Sequence, residues 1–91
     1  MTTLEKEKAA FLRNRSEAAV EARGMVAFLL ATGIDLSAAL ASAPPYRRAV
    51  LAKVDRLIER ERLKGVRGHW SYDLNRHIAL KQARDRLASS D

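Results

Sequence analysis

Apolar residues recur along this chain with helical spacing. Leu4, Phe11, Ala18 and Met25 lie seven apart, Leu12, Ala19 and Val26 flank them, and Ala22 and Leu29 complete a face. Recurrence at i, i+3, i+4 and i+7 marks an amphipathic helix. The pattern predicts a first helix over about residues 4–32. Thr3 is its expected cap, and Glu5 and Glu7 fall in the first turn, where carboxylates suit the positive end of the helix dipole. Gly33 is placed just past the end, with Ile34 supplying the hydrophobic contact that accompanies such a stop. A continuous helix of that length measures about 43 Å, whereas a domain of this size has a radius of gyration of roughly 12 Å. The helix therefore bends near Gly24, frays in its amino-terminal half, or lays that half on another chain. Lys8 and Arg15 interrupt the seven-residue repeat and argue against a strict coiled coil.

Asp35 or Ser37 caps a short second helix over about residues 36–42. Pro44 and Pro45 then break the chain, and Pro45 suits the first turn of a third helix over about 45–64. Val50, Leu51, Val54, Leu57 and Ile58 form its expected buried face. Gly65 is the expected stop, with Arg62 and Lys64 near the negative end of the dipole. After the connector Gly65-Val66-Arg67-Gly68, Ser71 is the expected cap of a fourth helix over about 72–88. Trp70 would then pack on Leu74 as a hydrophobic staple. Tyr72, Ala79, Leu80, Ala83 and Leu87 share one face of this helix, while Leu74 and Ile78 point nearly the other way. Two apolar faces predict that its first turns are sandwiched between elements, the alternative being contact with a second subunit. The fold class expected is all-α: a small four-helix bundle-like domain with one long amino-terminal helix, one short helix and two medium helices.

Composition agrees. Ninety-one residues fit one domain, and good helix formers dominate while β-branched residues are sparse. The absence of cysteine excludes disulfides and thiolate metal sites. Residues 1–10 mix acids with bases and lack the apolar segment of a secretory signal. The apolar run Met25–Ala31 is too short to span a bilayer. The expectation is a cytoplasmic protein with no membrane partner.

Charge changes the picture more. Eight of the seventeen basic residues fall between Tyr46 and Gly68 against three acids, so this segment carries net +5 of the total +6. Lys53, Arg56, Arg60 and Lys64 recur at steps of three, four and four, which makes one stripe roughly 100° around the helix from the apolar face. Asp55 and Glu59 lie on the far side. The like-charge pairs Arg56/Arg60 and Arg60/Lys64 each destabilise an isolated helix by roughly 0.2–0.5 kcal/mol, a repulsion that a phosphate backbone offsets. The competing reading is a solvated face paired with acids such as Glu17 and Glu21. Arg67 extends the stripe if the connector folds back, and Arg47, Arg48 and Arg76 are candidate flanking contacts. Duplex DNA is the expected nucleic acid: the chain has five aromatic residues, and Phe11 and Phe28 fit core positions, which leaves few stacking platforms for single strands. Without Asn or Gln, the stripe suits phosphates better than base edges. Helices two and three could form a helix-turn-helix, with an atypical turn at Ala43-Pro44-Pro45.

The segment Gly68–Asp73 concentrates the one Trp, a Tyr and a His. His69, Asp73 and His77 are spaced four and four, but residues i and i+8 of a helix are about 12 Å apart, so the three cannot share one ion. No metal and no cofactor are expected. Ser71 has no nucleophile-elbow context, and no carboxylate pair stands out for acid–base work, so no enzyme is expected either. The leading reading is a non-catalytic basic helical module that contacts duplex DNA phosphates through Lys53, Arg56, Arg60, Lys64 and Arg67, as a regulatory or architectural protein. The alternative is a protein-interaction module, a small regulator or adaptor. It would meet an acidic partner or a second copy through the helix-one seam at Leu4 and Phe11, or through Trp70, Tyr72, Leu74 and Ile78. A homodimer is expected.

Overall fold

Local hydrogen-bonding devices divide the chain into helices. The computed structural model describes Thr2–Ser90 and contains α1 (Thr3–Thr32), α2 (Leu36–Ala41), α3 (Pro44–Val66) and α4 (Leu74–Ser89), with no strand among the described residues. α1 opens on a capping box: Thr2 Oγ1 accepts from the Glu5 N–H at 3.2 Å, and the Glu5 carboxylate accepts from the Thr2 N–H at 3.2 Å. The cap is thus Thr2, one residue before the Thr3 expected. Gly33 ends the helix at φ +73°, donating to the Leu29 carbonyl at 2.7 Å. Asp35 caps α2 by accepting from Ala38 N–H. α3 starts at Pro44 with no side-chain cap. Two prolines in its first turn lack the N–H groups that a cap would otherwise satisfy.

Past Val66 the sequence reading needs correction. Gly65 lies inside α3, and the left-handed residue is Gly68 at φ +62°. His69 N–H donates to the Lys64 carbonyl at 2.9 Å and Gly68 N–H to the Gly65 carbonyl at 3.2 Å. This is the paired closure of a Schellman motif with Gly68 just past the cap. Gly65 has another reason to lack a side chain: a Cβ there would stand 3.1 Å from the Tyr72 ring. The cap of α4 is Asp73, which accepts from Arg76 N–H at 3.2 Å, and not Ser71. The staple moves with the cap. Tyr72 precedes it and meets His77 on the first turn, hydroxyl to Nδ1 at 3.0 Å with the rings edge to face. Trp70 is left 89% exposed and Leu74 60% exposed, so the expected Trp70–Leu74 contact does not form.

α4 is the middle layer. α1 packs on one side of it and α3 on the other, while α1 and α3 do not pack on each other; α2 touches all three. The core joins Phe28 of α1, Leu36 and Ala39 of α2, Val50 and Val54 of α3, and Leu80, Ala83 and Leu87 of α4. Burying each large side chain there contributes about 1.5–3 kcal/mol. Leu74 and Ile78 nonetheless stay exposed, so the second apolar face of α4 is not covered within the chain.

α1 runs unbroken through Gly24, where a Cβ would lie 3.0 Å from the Gln82 side chain of α4. Only its last turns reach the core. The preceding part projects, and the molecule measures 51 × 36 × 19 Å with a radius of gyration of 16.3 Å, well beyond a compact bundle of this length. Phe11, expected in the core, is 64% exposed. An open groove of about 440 Å³, lined by Val20, Gly24, Ala79 and Gln82 among others, lies between α1 and α4. Among the described residues no helix is long and apolar enough to cross a membrane.

Candidate nucleic-acid interface

The cationic side of α3 is built from its own buried side. Val50, Val54 and Glu61 are buried and Leu51, Leu57 and Ile58 half-buried, which fixes the rotation of the helix against α4. That rotation leaves Lys53, Arg56 and Arg60 exposed, with Lys64 half-buried at the end of the row. Arg67, in the cap that the Gly68 turn closes, lines one open recess of about 280 Å³ together with Arg60, Leu63, Lys64 and His69. The connector thus brings Arg67 beside the stripe.

Two of the three acids of α3 are engaged by bases, and the third, Asp55, is exposed. Glu59 and Arg62 form a two-bond pair at 2.7 and 3.0 Å on the other side of the helix. The hydrogen bonds from Arg62 hold the Glu59 carboxyl below its ordinary value, and the same bonds raise Arg62 above its own. Glu21 of α1 pairs with Arg86 of α4 at 2.9 Å. Neither Glu17 nor Glu21 forms an ion pair with the stripe; that part of α1 lies along α4, where Glu21 meets Arg86. Among the described residues no carboxylate lies within ion-pair distance of Lys53, Arg56, Arg60 or Arg67.

Glu61 was not singled out by its sequence context, yet it anchors the site. It is 4% exposed. Its Oε1 stands 2.8 Å from Arg76 Nε and 3.6 Å from Lys64 Nζ, and its Oε2 accepts from the Asp73 N–H at 3.4 Å. Arg76 also donates to the Ser71 carbonyl at 2.8 Å. One buried carboxylate therefore ties the end of α3 to the start of α4 and holds Lys64 and Arg76 at the stripe's lower edge. A signal existed: Glu61 sits four residues after Leu57 and seven after Val54, in register with the apolar face. Of the other flanking candidates, Arg48 is exposed, whereas Arg47 is half-buried and donates to the Ser42 carbonyl at 2.8 Å, tying α3 back to the end of α2.

The connector's aromatics are ordered by the same turn. His69 Nδ1 accepts from Ser71 N–H at 3.1 Å and lies 2.7 Å from the Ser71 hydroxyl. Trp70 stacks on His69 with centroids 5.6 Å apart and planes 29° apart. His69, Asp73 and His77 do not converge, and among the described residues no group of three His, Asp or Glu could hold a metal ion.

The sequence-predicted partner surface stays uncovered. Leu4, Phe11, Leu12, Val26, Leu29 and Leu30 are exposed along one side of α1. That seam lies roughly 120° around the helix from Phe28 and Glu21, which face the rest of the molecule. Tyr72 is half-buried against Gly65, and so is the least available of the four aromatic and aliphatic candidates at the start of α4. No protein-family model, curated protein or solved structure matches the chain.

Proposed function

We propose that this protein is a non-catalytic binding module that engages the phosphate backbone of DNA through Lys53, Arg56, Arg60, Lys64 and Arg67, as a regulatory or architectural factor. One observation carries the reading: four of these five bases have no carboxylate partner among the described residues, while Glu59 is held by Arg62 and Glu61 by Arg76 and Lys64. Charge left unbalanced on one helix side is an electrostatic footprint for a polyanion. From Lys53 to Arg67 the row spans about 21 Å, or about six base-pair steps along a duplex. Long bases without amide companions favour phosphate contact over base readout, so sequence preference is weak. The test is a fluorescence-anisotropy titration of labelled duplex at low salt. Wild type binds, and Arg56→Glu/Arg60→Glu loses binding while keeping its helical circular dichroism; equal binding by both proteins contradicts the proposal.

A second reading rests on a different observation, the exposed seam of α1. Uncovered apolar stripes of this length mark partner surfaces. The seam suits a second helical chain, either a copy of this one or an acidic partner that meets Lys8 and Arg15. Light scattering at tens of micromolar tests the homodimer: it predicts twice the chain mass for wild type and a monomer for Phe11→Glu/Leu12→Glu. A wild-type monomer removes it.

A further inference from the structure

Trp70 is the one tryptophan of the chain and is 89% exposed, so the core makes no use of it. The turn that carries it is nevertheless held. The Schellman turn at Gly68 fixes the backbone, Ser71 fixes the His69 ring, and the indole lies stacked beside that ring. At that exposure the indole keeps an open face toward solvent. His69 also lines the recess that holds Arg60, Lys64 and Arg67. A flat aromatic surface and three phosphate-seeking bases therefore meet at one residue, His69.

We infer that this end of α3 receives an unpaired nucleotide: its flanking phosphates in the recess of Arg60, Lys64 and Arg67, its base stacked on the open face of Trp70. The inference rests on the phosphate reading above and narrows it from duplex to DNA with a single-stranded part. Within a duplex both faces of each base are occupied by its neighbours. A fixed aromatic face is useful only to a base that has left the stack, or to one at a strand end. Stacking tolerates any base because every base has a π-face, and it adds to the electrostatic attraction of the groove. A duplex with a single-stranded tail uses both surfaces, the upper stripe at Lys53 and Arg56 for the duplex and the Trp70 end for the tail.

Because Trp70 is the sole tryptophan, its emission reports on the site directly. Three ligands are titrated at low salt: a twelve-residue oligo-dT, a blunt twelve-base-pair duplex, and that duplex carrying a six-residue single-stranded tail. The expected result is saturable quenching by oligo-dT and by the tailed duplex, with little change on binding the blunt duplex. Followed by anisotropy, Trp70→Ala weakens oligo-dT and tailed-duplex binding about tenfold, in keeping with the loss of one stacked base, and leaves the blunt duplex within twofold. Trp70→Phe restores most of the loss. The side chain is exposed, so an unchanged melting temperature separates this effect from misfolding. Unquenched emission at saturation, or equal oligo-dT affinity in Trp70→Ala, overturns the inference while leaving phosphate binding in place. Failure of all three ligands to bind overturns the phosphate reading together with it.

Discussion

α1 and α3 are both long amphipathic helices rich in charge, yet they meet the rest of the molecule in opposite ways. α3 turns its apolar face inward along most of its length and leaves cations outside. α1 buries only its last turns and leaves apolar side chains outside. Their charges differ to match. The five bases of α1 are interspersed with four acids, whereas α3 carries seven bases against three acids. Amphipathicity alone does not say which face a helix hides. The choice depends on how much of the helix lies beside other elements. α4 runs along α3 but meets only the carboxyl-terminal part of α1, so the two helices offer surfaces of different chemistry.

The largest test of this contrast is stability. Leu80→Ala, which empties a site between α4 and its neighbours, lowers stability by about 2–5 kcal/mol, while Leu12→Ala on the projecting part of α1 changes it by less than about 0.5 kcal/mol. Urea unfolding of both variants checks the difference, and similar losses would mean that the arm is packed. Glu61→Ala comes next. It strands Arg76 and Lys64 without their buried partner, and because both retain some access to water the loss is about 2–3 kcal/mol, below that of a fully buried pair. Glu61→Gln keeps the shape and the acceptor for Asp73 N–H, and loses less. Gly68→Ala places a side chain at φ +62° with no neighbour to clash, so backbone strain alone costs about 1 kcal/mol. Thermal melting resolves that shift.

The smallest effect concerns the pair that keeps Glu59 away from the stripe. Its carboxyl titrates below an ordinary glutamate because Arg62 donates to it. A depressed native value means that the pair's contribution is present above the unfolded carboxyl's range and is lost as pH falls through the native one. Both groups are exposed, so the pair adds almost nothing to stability. The position of the titration is the observable. Carbon-detected NMR should show Glu59 titrating low in wild type and returning toward the ordinary value in Arg62→Ala. An unchanged titration would mean that Glu59 is free to screen the stripe.

Much of the fold was legible because it depends on neighbours in sequence. The apolar face of α3, the stop at Gly33 and the buried Ala79, Leu80, Ala83 and Leu87 all follow from local spacing, while that spacing allows either Asp35 or Ser37 to cap α2 and the structure places the cap at Asp35. Even the Thr2 cap was readable, since Thr2-Thr3-Leu4-Glu5 carries the capping-box spacing only from Thr2. The choice between Gly65 and Gly68 was not, because it is made by a Tyr72 ring folding back from beyond the turn. The staple followed that choice, with Tyr72 and His77 taking the place of Trp70 and Leu74. For the site, the register of Lys53, Arg56, Arg60 and Lys64 was readable from spacing. The isolation of these bases from Glu17 and Glu21 was not, since it depends on that part of α1 packing along α4.

The salt dependence of duplex binding tests the account most directly. If the stripe residues neutralise phosphates, counterions are released in proportion. For four contacts, log Kobs against log salt then falls with a slope of about −4, and Arg60→Ala makes it shallower by about 1. A slope near zero, or one unchanged in Arg60→Ala, would contradict the assignment of this helix side to DNA.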